Sequence, residues 1–193
     1  MNYRTIGIYT SLFLASLSVG LAEESAKSKA DLSLPDLIKV PGNETLLVAA
    51  SASGVQIYEC QAKESDPGQY QWVFKEPEAQ LLDVDGKKIG RHYAGPTWEL
   101  NDGSKVVGEV KAHVASTNTN AIPWLLLHAK SHEGDGQFSK VTSIQRVDTG
   151  GGVAPTTGCD KTNVGKEIRV PYTALYYFYV EKPKPEPLPG GKG

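Results

Sequence analysis

The stretch GVQIYECQAKESDPGQYQWVFK, residues 54–75, decides the fold class. In its second half, QYQWVFK (69–75), the aromatic residues Tyr70, Trp72 and Phe74 fall on every second position. That is the repeat of a strand, in which successive side chains point to opposite faces, and not the 3.6-residue repeat of a helix. In its first half, Val55 and Ile57 share one face while Gln56, Tyr58 and Cys60 share the other. Between the halves, DPGQ (66–69) sets Pro67 and Gly68 where a β-turn places them. The stretch reads as strand, turn, strand.

The same pattern extends outward in both directions. TLLVAA (45–50) is a short apolar run, and AQLLDVDGKKIGRHY (79–93) carries the hairpin signal Asp85-Gly86. NDGS (101–104) is a second turn, followed by a return strand with Val106, Val110, Ala112 and Val114 inward and Glu109, Lys111 and His113 outward. PWLLLHAK (123–130) is short and almost wholly apolar, which reads as a buried central strand. FSKVTSIQRVDT (138–149), EIRV (167–170) and TALYYFYVE (173–181) supply the last strands, with Pro171 restricting its point to an edge or a bend. About nine or ten short strands with no long amphipathic helix predict an all-β fold, an antiparallel β-sandwich or barrel.

The flanks differ in composition. Residues 1–22 place Arg4 before an uncharged apolar run and end on Gly20 and Ala22, the small residues of a cleavage site, so they read as a secretory signal peptide. The apolar segment Ile6 to Ala22 spans 17 residues, the short limit for a membrane-crossing helix, and Ser, Thr and Gly interrupt it. No integral membrane association is expected after cleavage, and the expected location is periplasmic, cell-surface or extracellular. Residues 23–36 form a polar lead-in, 37–181 a single domain, and 182–193 a Pro/Gly-rich tail that cannot pack a core. The formal charge of −2 becomes −3 once Arg4 is removed, so no basic excess points to nucleic acid. The two cysteines, Cys60 and Cys159, then belong to an oxidising compartment, where an even count predicts a disulfide. Asn43-Glu44-Thr45 is a glycosylation sequon, meaningful in a eukaryotic secretory pathway.

Taken together, GVQIYEC, HYAGPTWE, IPWLLLHA, IQRVDTGGGVAPTTGC and VPYTALYYFY resemble a family of exported bacterial and fungal proteins classed as a domain of unknown function. The resemblance covers roughly residues 38–180 and implies no established activity. Some fungal relatives carry a malate dehydrogenase label. The residues here give it no support, because Gly150-Gly151-Gly152 leads to a cysteine and not into a helix, so no dinucleotide fingerprint exists. No cofactor is expected.

Candidate chemistry centres on HYAGPTWE (92–99), where Gly95-Pro96 imposes a bend between Tyr93 and Trp98. If its aromatics face the sheet they are core plugs. If they face outward, they form a wall to which His92 and Glu99 add hydrogen bonds, suited to a carbohydrate or another small polar ligand. The candidate ligand face joins His92, Tyr93, Trp98 and Glu99 to Arg146 and Thr149, which flank the glycine-rich loop. The favoured reading is a ligand-binding or surface-associated module. The alternatives are a secreted hydrolase with Glu99 and His92 as acid and base, and a structural matrix protein. No metal site is expected. His128 and His132 lie on a strand segment, where positions four apart are ~13 Å distant, and SHEGDGQ (131–137) lacks the ligand count of a calcium loop.

Overall fold

A computed structural model describes residues 34–184. The expected signal peptide, most of the lead-in and the tail from 185 onward lie outside the described residues. The domain is all-β, as its two-residue periodicity predicts. Its strands are β1 (Glu44–Lys63), β2 (Asp66–Leu82), β3 (Lys88–Tyr93), β4 (Thr97–Leu100), β5 (Lys105–Val114), β6 (Trp124–Glu133), β7 (Ser143–Gly151) and β8 (Glu167–Glu181). Each pairs antiparallel with the next, and β8 returns to β1, so the sheet closes into an eight-stranded up-and-down barrel.

The count is eight because two pairs of predicted strands are each one strand. TLLVAA and GVQIYECQA are halves of β1, while EIRV and TALYYFYVE are halves of β8. These two long strands pair with each other from Glu44↔Glu181 to Glu59↔Glu167. Pro171 does not break β8: it lies just past the last β7 register pair, Gly151↔Tyr172, where its missing N–H costs no ladder pair. On its other side it pairs with Val55 of β1, and its carbonyl accepts the Gly152 N–H at 2.9 Å. The first hairpin turns at Glu64–Ser65 and not at Pro67-Gly68, since Lys63 pairs with Asp66. The Asp66 carboxylate accepts the Gly68 N–H at 3.1 Å and the Gln69 amide at 2.9 Å, which satisfies these donors locally while the chain stays extended.

Inside the barrel, small residues on β1, β2 and β8 (Ala50, Ala52, Ala79 and Ala174) leave room for Trp98, Tyr172, Tyr176 and Phe178. Gly108 makes a close approach possible: a Cβ there would lie 2.9 Å from the Trp98 ring and 3.2 Å from Leu127. One end of the barrel is plugged by a 3-10 turn, Gln137–Lys140, in the segment predicted to begin a strand. Phe138, fully buried, packs 4.3 Å from Phe178, and its N–H donates to the Ser104 hydroxyl at 3.0 Å. Asp102 anchors the plug, accepting from the Ser104 hydroxyl at 2.6 Å, the Ser104 N–H at 2.8 Å and the Gln137 N–H at 2.9 Å. On the outer face, the 3-10 turn Asp36–Ile38 buries Ile38, whose carbonyl accepts the Gln145 amide at 2.6 Å.

Cys60 and Cys159 form the predicted disulfide, with Cα atoms 5.4 Å apart across a separation of 99 residues. It ties the loop after β7 to the projecting end of the β1–β2 hairpin. Trp72 fastens the same loop by donating its indole N–H to the Thr157 carbonyl at 2.9 Å.

Candidate functional site

At the end opposite the plug, the barrel opens into a cavity of about 500 Å³. Its wall is mainly apolar, with a few convergent polar groups, the general character of small-molecule sites. Alternation along two short strands decides which part of HYAGPTWE reaches it. In the β3–β4 hairpin, His92 pairs with Trp98 and both face inward, whereas Arg91 pairs with Glu99 and both face outward. The inward pair stacks with ring centroids 4.3 Å apart and planes 8° from parallel, and Tyr176 meets both rings edge-on.

His92 is 2% exposed. Its Nδ1 lies 2.8 Å from the Thr97 carbonyl oxygen, which can only accept, so Nδ1 carries the proton and Nε2 is an acceptor. Burial drives its pKa down to about 3, outweighing the upward pull of the Thr97 bond, and the positive charge of Arg146 adds to the fall. The imidazole is therefore neutral at physiological pH.

Arg146 sits on β7 between Leu125 and Tyr176, its register partners on β6 and β8. Its Nε and one terminal nitrogen donate to the Pro123 carbonyl at 3.1 and 3.0 Å, and the guanidinium also hydrogen-bonds the Tyr176 hydroxyl, which fixes it at the rim and leaves its remaining N–H groups for an occupant. None of the ion pairs among the described residues includes Arg146. The Tyr176 hydroxyl lies in hydrogen-bonding contact with Tyr172 and Arg146, and the Gln56 side chain with Tyr172, so these wall residues form one polar cluster with Arg146. The Trp98 indole N–H is buried without a protein partner.

The remaining predicted residues lie elsewhere. Tyr93 is on the outer surface, where its hydroxyl donates to Glu99 at 2.9 Å. The Arg91 guanidinium donates to the same carboxylate oxygen at 2.8 Å. Burial pulls the Glu99 pKa upward, but the Tyr93 and Arg91 hydrogen bonds and the charges of Arg91 and Lys105 outweigh it, so the net shift is downward. Glu99 thus stands ionised on the face of the sheet opposite His92, and the structure does not bring the two together as an acid–base pair. Thr149 is a fastener and not a wall residue. Its hydroxyl donates to the Ile122 carbonyl at 2.5 Å, while the Ile122 N–H donates to Gly151, and together these hold the Ile122–Pro123 rim in place. The glycine loop has a similar structural task, since Gly152 accepts the Tyr58 hydroxyl at 2.6 Å and a Cβ there would crowd Tyr172, Ile122 and Gln56.

Sequence reasoning does not single out Gln56, Tyr58 and Tyr176 as site residues. A signal is present for Gln56, a polar residue on the face that also carries Ala50 and Ala52. Tyr176 shares the parity of Tyr172, Ala174 and Phe178, the inward set of β8.

The chain belongs to the family described as protein of unknown function (DUF3455), which matches residues 41–180. No curated protein and no solved structure matches it.

Proposed function

We propose that this chain, a member of that family, is an exported binding module that takes a small ligand into the open end of its barrel. The reading is carried by one observation: a cavity of about 500 Å³ walled mainly by apolar side chains, with the Arg146 guanidinium held at its rim. A ligand that enters would cover the apolar wall and give the remaining N–H groups of Arg146 a partner. The Gly95-Pro96 bend helps shape the rim, so HYAGPTWE contributes to the site through its inward half. Export is supported by the apolar N-terminal segment with its small-residue cleavage site, and by a disulfide of the sort that persists outside reducing compartments.

The test is titration of the full chain with N-phenyl-1-naphthylamine, a neutral apolar fluorophore small enough for the cavity. Saturable binding is expected, and Leu125→Trp, which places an indole in the void beside Arg146, should abolish it while the melting transition persists. No saturable binding, or equal binding by Leu125→Trp, would overturn the reading.

A further inference from the structure

Within the cavity reading, on which this inference rests, the charge of the wall is one-sided. Its polar side chains Gln56 and Tyr176 belong to a cluster with Tyr172 and Arg146, and His92 contributes a neutral acceptor. Arg146 adds a guanidinium outside any of these ion pairs, its fork fixed in direction by Pro123. No carboxylate lines the cavity among the described residues, and its two charged residues, Arg146 and Lys75, are both cationic. Lys75 is already engaged at the rim by Glu167, which leaves Arg146 as the charge offered to an occupant. His92, stacked on Trp98 and neutral, does not add a second positive charge.

A fixed guanidinium with no carboxylate beside it in the wall calls for a head group that accepts and carries negative charge. A carboxylate or a similar oxyanion does so and can engage a planar guanidinium with two oxygens. The apolar remainder of the wall calls for an aromatic or aliphatic body. We infer that the ligand is an amphipathic monoanion, its oxyanion head held by Arg146 and its apolar body lying along the barrel wall.

Two fluorophores with the same apolar framework test this. 8-Anilinonaphthalene-1-sulfonate carries an oxyanion, and N-phenyl-1-naphthylamine does not. The full chain should bind the sulfonate about tenfold or more tightly than the neutral probe, the scale of one charge-assisted hydrogen bond. Arg146→Gln should bring the sulfonate down to the affinity of the neutral probe, whose own binding should change less than about threefold and so report that the barrel is folded. Arg146→Lys, which keeps the charge but not the fork, should fall between. Equal affinities in the parent chain, or a sulfonate affinity untouched in Arg146→Gln, overturns the anionic head and leaves the cavity reading intact. Failure of the neutral probe to bind the parent chain, or binding of both probes to Leu125→Trp, overturns both. Should Arg146→Gln not fold, the affinity ratio in the parent chain and its fall with added salt decide between the two outcomes, a ratio near one at low salt being the refuting result.

Discussion

Acidification should unfold this barrel earlier than its carboxylates alone would. His92 titrates near 6.5 in the unfolded chain, but burial brings it to about 3 in the folded one. The unfolded state therefore takes up the proton first as pH falls. The corresponding stability is fully present above about pH 6.5 and is lost progressively between 6.5 and 3. Each pH unit in that window removes about 1.4 kcal/mol, so the fall from pH 7.5 to 4.5 should cost about 2.7 kcal/mol. The carboxyls of Asp102 and Glu99 are also shifted, Asp102 mainly by the Ser104 hydroxyl and Glu99 by the balance described above. Both shifts are downward, so their contributions are lost below the ordinary values of 4.5 for Glu99 and 3.8 for Asp102, at the acid end of this window and not above about pH 5. The assay is urea unfolding at pH 7.5, 5.5 and 4.5, followed by tryptophan fluorescence, on the parent chain and on His92→Asn. Asparagine retains a donor for the Thr97 carbonyl but does not titrate. The variant should be less stable at pH 7.5, having lost the stack on Trp98, and should lose less than about 1 kcal/mol on going to pH 4.5. A flat profile in the parent chain, or an equal slope in the variant, would refute the claim that His92 is buried neutral.

Three further outcomes follow from the same geometry. Reduction of the disulfide, or Cys60→Ser with Cys159→Ser, should destabilise the domain by up to ~4.7 kcal/mol, the chain-entropy limit for so long a loop, measured as a shift in urea midpoint. Gly108→Ala should cost about 1–3 kcal/mol in the same assay, because the added methyl must displace the Trp98 ring, and a neutral effect would mean that the ring is not seated against β5. Glu99→Gln removes an exposed ion pair on the outer wall, so it should cost under about 1 kcal/mol and leave fluorophore binding unchanged, whereas a large loss of binding would restore Glu99 to the site.

The periodicity of residues 54–75 was enough to predict an all-β fold, because alternation records burial directly. It did not show how far each strand runs. Ser51-Ala52-Ser53 looks like a break, yet Ala52 is buried between two outward serines, and the strand continues through them. The Asp85-Gly86 and Asn101–Ser104 turns were legible because glycine takes the left-handed conformation in each, at φ of 77° and 84°. Asp66-Pro67-Gly68 misled, since the composition of a turn also suits a strand start whose aspartate serves its own backbone. In HYAGPTWE the residue types pointed to chemistry, and alternation separates His92 and Trp98 from Tyr93 and Glu99. Which of the two sets faces the core depends on how the hairpin sits in the closed sheet and so is not written in the stretch itself. Arg146 was legible as a cation near the glycine loop, but that it enters the barrel mouth depends on β7 lying between β6 and β8.

The central claim, that a ligand enters the barrel cavity, is tested most directly on the indole N–H of Trp98, a wall residue. The chain has three tryptophans, and their indole protons give separate signals in a proton–nitrogen correlation spectrum of the labelled protein. Titration with 8-anilinonaphthalene-1-sulfonate should move the Trp98 signal, saturating at the affinity found by fluorescence, while the signal of Trp72, engaged by the Thr157 carbonyl, stays in place. A Trp98 signal that does not move while the probe binds would contradict the account.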